Sequence, residues 1–359
     1  MNTTQHVASL GQSLWLDNLS RSLLRDGTLA RLIAEDGISG VTSNPAIFHN
    51  ALATSPYYAA DLLRLRAEET DAEQRYEALV IADIRDACDL LLPIFAASGG
   101  DDGYVSLEVA PRWAQDAVHT VEEALRLSAA VDRRNLLIKV PGTPQGIDAF
   151  EALTMLGINV NVTLLFSIAQ VEAVFAAYLR GLAARAGTGA DVGRNKAVAS
   201  LFLSRVDTLV DTRLDAIGSQ EALALRGKAA VAMAKLAYQR YRSVFHGAAF
   251  AALAQQGARP QYLLWASSGV KNPDYSDLLY VEPLIGPETI NTLPDKTLAA
   301  LRDHGRAAPC LQDGVAEAEM QLAELARLGI DMDAVGQRLQ QEGVELFEAA
   351  YRKLLQQTG

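Results

Sequence analysis

The sequence predicts an α/β protein of the (β/α)8 class, a TIM barrel with additional helices, folded as a single domain over residues 1–359. Three observations carry that expectation. Short runs with strand character alternate with longer helical patterns, as parallel β/α units require. The runs number eight, which is the barrel number. Polar residues recur on one face within the runs and concentrate towards their ends.

In chain order the runs are SLWLD (13–17), ISGVTSN (38–44), YVSLEV (104–109), LLIKV (136–140), INVNVTLL (158–165), AVASLFLS (197–204), YLLWASS (262–268) and LLYVEPL (278–284). Between them, stretches such as PRWAQDAVHTVEEALRLSAAV place apolar residues at helical spacing with charges opposite, as an outer ring of helices would. Two segments exceed the minimal plan: a helical insertion over about residues 51–100 and a C-terminal extension over about residues 311–359 that reads as two more helices. The stretch AARAGTGADVGRN (183–195) is too short for an interdomain linker and reads as a surface loop.

Composition narrows the function. Of 359 residues, 50% are apolar and 21% charged, the balance of an ordinary packed protein. A formal net charge of -11 argues against sequence-independent nucleic-acid binding, which rests on Lys and Arg neutralising phosphates. Small anionic substrates still fit a local basic pocket. Cys88 and Cys310 form neither a disulfide framework nor a CxxC motif. The N-terminus lacks a basic region followed by a long apolar one, and no stretch reaches about 18 uninterrupted apolar residues, so the expectation is a cytoplasmic protein with no membrane partner. Nothing in the sequence assigns an oligomeric state.

Alternation within the strands locates a site. In INVNVTL, Asn159, Asn161 and Thr163 share one face, opposite Val160, Val162 and Leu164. The same rule puts Ser200 with Val198 and Phe202, and Ser106 with Glu108. Strands lying between helices are covered on their outer face, so the polar set points into the barrel. Active sites of such barrels are built at the C-terminal strand ends. Asp17, Asn44, Glu108, Lys139, Asn161, Thr163 and Ser200 therefore converge from six strands. Any one alone reads as a strand-end residue meeting water; for the whole set a shared site is the simpler account.

Lys139, in LLIKVPGT, follows three apolar residues and precedes a Pro-Gly turn. Its bland reading is a lysine reaching to solvent. Its functional reading is a buried amine whose neutral form is favoured, the nucleophile that carbonyl chemistry needs. At an ordinary pKa of about 10.4, roughly one lysine in a few thousand is neutral at neutral pH; a value of about 7 or 8 restores most of it. Glu108 and Asp17 add two carboxylates near the same mouth, enough for two separate proton transfers. Arg205 after the sixth run and Lys271 in ASSGVKN after the seventh are candidate anion-binding groups, since late strands of barrels often bind phosphate.

At these residues the chain resembles the transaldolase family. SLWLDNLSR, GVTSNPAIF, VSLEVAPR, LLIKVPGTPQGIDAFEAL and GINVNVTLLFS look like that family's successive strand motifs, over about residues 10–285. The resemblance implies Lys139 as a Schiff-base lysine, Glu108 as an acid/base acting through a water held by Thr163, and Asp17 as the base for carbon–carbon cleavage. It implies Asn44 and Asn161 as partners of the dihydroxyacetone hydroxyls, with Ser200 and Arg205 near the substrate phosphate. The substrates would be sugar phosphates of the non-oxidative pentose phosphate pathway, with sedoheptulose 7-phosphate or fructose 6-phosphate as donor. No cofactor is implied. Many shorter members carry an Arg after the seventh strand; this chain, similar to the longer bacterial branch, offers Lys271, a point charge without a bidentate fork.

Other classes make different demands. A Schiff-base aldolase that releases free dihydroxyacetone would need much of the same lysine chemistry. A metal-dependent aldolase would need ligand spacing that His6, His49, His119, His246 and His304 do not have. A catalytically silent barrel acting as a binding protein would need no nucleophile at all.

Overall fold

Strands covered by helices on one side and meeting each other on the other are buried at nearly every position, as in a sheet closed on itself. The computed structural model describes residues 2–68 and 71–359. Its strands are β1 (Gln12–Leu16), β2 (Ile38–Thr42), β3 (Val105–Glu108), β4 (Leu136–Pro141), β5 (Val160–Leu165), β6 (Ala197–Phe202), β7 (Tyr262–Ala266) and β8 (Thr289–Leu293). They pair in parallel in chain order, and β8 returns to β1 to close the barrel.

Seven strands coincide with the predicted runs, and the eighth does not. Residues 278–284 form turns and a short 3-10 helix, Glu282–Leu284, while β8 lies beyond them in TINTL. LLYVEPL imitates a strand because Leu278, Tyr280, Val281 and Leu284 are all buried. Their burial comes from loop packing instead: the Tyr280 hydroxyl donates to Asp207 Oδ2 at 2.8 Å, and its carbonyl accepts from Asn291 Nδ2 at 3.1 Å. The insertion carries the helices Ala59–Ala67 and Ala72–Ala97, and the C-terminal extension carries Val315–Arg327 and Met332–Thr358. The surface loop expected at 183–195 starts later, because the helix Ile168–Gly187 runs into it. No described helix is long and apolar enough to cross a membrane.

Caps set the strand-to-helix turns at the barrel mouth. The Asn44 side-chain oxygen accepts from the Ile47 amide at 3.0 Å, with Pro45 as the first helical residue. Thr143 does the same for Gly146 at 3.0 Å, ahead of Pro144. Each cap satisfies one orphan amide of a helix start and stabilises it by about 1 kcal/mol. Proline adds a pre-set φ where its missing N–H is not needed.

Hydrogen bonds between strands that are not neighbours identify the side chains directed inward. Asn161 of β5 donates to Ser106 Oγ of β3 at 3.1 Å, and the hydroxyls of Thr42 on β2 and Thr292 on β8 lie 2.6 Å apart. Lower in the barrel, Trp15 is fully buried and donates its indole N–H to Asp102 Oδ1 at 2.9 Å. Gly40, its register partner on β2, makes room for the ring: a Cβ there would sit inside the indole's van der Waals surface.

The helix Met332–Thr358 packs on the helices Pro45–Thr54 and Ala72–Ala97 and reaches β5. Gly336 and Gly343 allow the approach, since a Cβ would meet Ser167 Cβ at 2.8 Å and Leu164 Cδ2 at 2.9 Å respectively. Between them, Gln340 Nε2 donates to the carbonyls of Gly142 at 2.7 Å and Leu164 at 3.1 Å, tying the helix to the ends of β4 and β5. At its far end, Arg66 donates to the Gln357 carbonyl at 3.2 Å and Arg75 to that of Thr358 at 2.5 Å.

Gly40→Ala should overpack the Trp15 site and lower the unfolding free energy by about 1–3 kcal/mol. The urea midpoint measures it, and a midpoint equal to the parent's would mean that the indole moves aside freely.

Candidate active site

Lys139 stands on β4 between the fully buried Ile138 and Val140, and is itself only 5% exposed. Its Nζ donates to the Ser43 carbonyl at 3.1 Å, lies 4.0 Å from Glu108 Oε2, and sits 5.7 Å from the centroid of the Phe347 ring. Ser43 in turn donates its hydroxyl to the Ser106 carbonyl at 2.8 Å, fixing the turn after β2 against β3. A buried ammonium thus keeps one carbonyl, one carboxylate and one aromatic ring around it.

Glu108 ends β3 in register with Lys139. Burial pushes its carboxyl from an ordinary value near 4.5 up to about 7, with the Lys139 charge opposing the rise and Asp17 adding to it. Its Oε2 and the Thr163 hydroxyl are both buried without a hydrogen-bond partner among the described residues, so both retain capacity for a ligand or water. Asp17 follows β1 and accepts the Thr42 hydroxyl at 2.9 Å. Burial raises its carboxyl too, against the pull of Lys139 and the Thr42 bond.

Above these groups lies a cavity of about 460 Å³ whose lining includes Asp17, Asn44, Lys139, Thr163, Ser200 and Arg205. Asn161 sits behind the lining, fully buried, with its Oδ1 accepting from Ser200 Oγ at 2.6 Å. Glu108 is also behind it, against Lys139. Eight of the nine predicted residues therefore gather around one space, and Lys271 does not. The loop after β7 carries Lys271 to solvent, where it lines no part of the cavity and acts on Asp17 only through its charge.

Residues outside the predicted set complete the wall. Phe347 and Lys353, both on the helix Met332–Thr358, line the cavity, as does His49 on Pro45–Thr54. The amphipathic tail was legible as helix, but no local motif marks these side chains as part of a site. Lys353 faces the same cavity as Arg205, whose guanidinium is desolvated and lies 6.0 Å from the Phe202 ring centroid. Two non-glycine residues at the mouth hold a left-handed backbone: Leu164 with φ 59° and Ser267 with φ 53°. Such strain, roughly 1–3 kcal/mol per residue, persists only where surrounding structure over-determines it. The Gln340 bond to the Leu164 carbonyl is one such constraint.

The arrangement offers a buried primary amine, two carboxyls of raised pKa and an amide cluster beneath an open cavity with two cations on its wall. A family model described as transaldolase/fructose-6-phosphate aldolase matches residues 14–358. The chain belongs to this family. It is 73% identical over 359 residues to a transaldolase of Thiobacillus denitrificans, covering 100% of both chains. A transaldolase of Neisseria gonorrhoeae is 50% identical over 355 residues, 99% of each chain. One of Mycobacterium ulcerans is 47% identical over 354 residues, 98% of this chain and 95% of that one. The transaldolase/fructose-6-phosphate aldolase match extends past the strand motifs and takes in the helix that carries Phe347 and Lys353.

Glu108 binds its proton more tightly in the folded chain than in the unfolded one. Its contribution to stability is therefore full below about pH 4.5 and is lost as pH rises through about 7. Glu108→Gln removes that loss, so the variant's unfolding free energy relative to the parent should increase between about pH 5 and about pH 8 in urea titrations. A difference that stays constant over this window would mean that the surroundings do not hold Glu108 protonated.

Proposed function

We propose that the chain is a transaldolase, moving a three-carbon dihydroxyacetone unit from a ketose phosphate to an aldose phosphate through a Schiff base on Lys139. One observation carries this reading: the Lys139 amine is buried at the wall of the cavity with Glu108 Oε2 at 4.0 Å and Asp17 lining the same space. The names of the relatives agree with it.

Each residue then has a task. The neutral amine of Lys139 adds to the ketose carbonyl at C2, and Glu108 delivers the proton with which the carbinolamine hydroxyl leaves as water. A carboxyl that titrates at about 7 can both give and take that proton near neutrality. Thr163, whose hydroxyl has no protein partner, supports a bridging water between Glu108 and the reacting carbon. Asp17 removes the proton of the C4 hydroxyl; the C3–C4 bond breaks, its electron pair passes into the iminium, and the aldose departs. The enamine left on Lys139 attacks the carbonyl of the incoming aldose, Asp17 returns the proton, and hydrolysis frees the new ketose. Asn44 uses its side-chain oxygen to cap a helix, so its NH2 is the group left to hold a ketose hydroxyl. Asn161 and Ser200, bonded to each other, form the polar floor.

Arg205 and Lys353 take the phosphate. Among the described residues they are the Lys and Arg side chains besides Lys139 on the cavity wall, whereas Lys271 lines no part of it. With Lys271 off the wall, the second cation comes from the C-terminal helix.

Borohydride with fructose 6-phosphate should fix a three-carbon adduct on Lys139, detected by peptide mapping, and added erythrose 4-phosphate should suppress it by discharging the intermediate. An adduct on another lysine would move the site, and dihydroxyacetone release indifferent to acceptor would make the enzyme an aldolase.

Arg205→Ala and Lys353→Ala should each raise KM for fructose 6-phosphate about tenfold or more, as expected for loss of a charged hydrogen bond of roughly 1.5–3 kcal/mol. Turnover of unphosphorylated dihydroxyacetone donors should change little. Equal losses for both donors would remove that residue from the phosphate subsite.

A further inference from the structure

The opposite end of the barrel holds a second cavity, of about 720 Å³, within the range of small-molecule sites. It opens among the connections that lead into β3, β4, β5, β6 and β7, at the end away from Lys139. Four arginines line it, Arg133, Arg134, Arg194 and Arg259, and no Asp or Glu is among the lining residues. In a chain of formal net charge -11 that is a local reversal of sign.

Three of the four are held from behind. Arg133 pairs with both oxygens of Asp89 at 2.6 and 2.9 Å, and Arg259 donates to the carbonyls of Gly193 at 2.9 Å and Gly99 at 2.6 Å. Arg194 Nε lies 3.2 Å from Asp191 Oδ2. Arg133 also donates to the Asp132 carbonyl at 3.0 Å and Arg259 lies 3.8 Å from Asp101 Oδ1, so these two are fixed in orientation, whereas the exposed Arg194 keeps most of its N–H groups for a ligand. Arg134 differs. Its guanidinium lies over the Phe95 ring, 5.8 Å from the centroid, and has no carboxylate partner among the described residues.

We propose that this cavity binds a phosphorylated small molecule, with Arg134 and Arg194 as the cations that take its phosphoryl group and Arg133 and Arg259 as fixed walls. Guanidinium groups match phosphate oxygens as two-pronged donors, and several in one cavity suit a dianion better than a single carboxylate. The site is independent of the reading given to the barrel mouth.

Calorimetric titration with inorganic pyrophosphate tests it, using the full chain carrying Arg205→Ala and Lys353→Ala so that the mouth contributes no phosphate binding. One equivalent should bind, and hydrogen exchange should slow around residues 128–136, 157–159 and 193–194. Adding Arg134→Ala and Arg194→Ala, both at exposed positions, should weaken binding tenfold or more while leaving the melting temperature near that of the background. Parallel titrations with ADP and with fructose 6-phosphate identify the source of the phosphoryl group by which binds more tightly. Absence of pyrophosphate binding in the mouth-silenced chain, or binding that survives loss of Arg134 and Arg194, would overturn the proposal.

Discussion

A closed parallel barrel brings the ends of its strands together, and three largely desolvated ionisable groups, Lys139, Glu108 and Asp17, gather there beneath the cavity. Burial disfavours every charge there, so no one of the three can be understood without the other two. Desolvation raises both carboxyls, and the ammonium resists that rise in each. Glu108, with one oxygen unpartnered, ends near neutrality, whereas Asp17 keeps the Thr42 hydroxyl as a donor to its charged form. Two carboxyls that share the influence of one lysine are thereby given different environments.

Strain at the mouth is concentrated where the C-terminal helix arrives. Leu164 breaks the β5–β6 register and takes a left-handed backbone immediately after Thr163. Its carbonyl is held by Gln340, and its side chain fills the space left by Gly343. The same helix presents Phe347 to Lys139 and Lys353 to the cavity. Rigid placement of Thr163 and closure of the cavity are in this sense one packing event.

The sequence made the interior legible because period-two alternation survives wherever a strand is flanked by helices: Asn161, Thr163, Ser106 and Glu108 could be assigned to one side by counting. Counting failed at the eighth strand. TINTL is short, half polar and close behind a Gly-Pro pair, whereas the buried loop before it is rich in Leu, Tyr and Val and so drew the eighth assignment. Burial and strand formation share the same residues, and only hydrogen-bond partners separate them. Lys353 was illegible for another reason. A lysine on an amphipathic helix is ordinary, and what makes this one part of a cavity is where Gly336, Gln340 and Gly343 dock the helix, a long-range fact with no local trace. Lys271 was the converse: its loop reaches the cavity at Ser267, but the Lys271 side chain is turned to solvent and is not part of the lining.

The docking of that helix also orders events in time. A ribosome delivers Lys139, Glu108 and Asp17 long before it delivers residues 332–358, and a domain folds as a unit, so the cavity waits for its last helix. Until that helix docks, the chain lacks Lys353, Phe347 and the Gln340 clamp on Leu164. Lys139 is therefore made first and the helix that walls its cavity last, so that the cavity takes its final shape only when the end of the chain is in place.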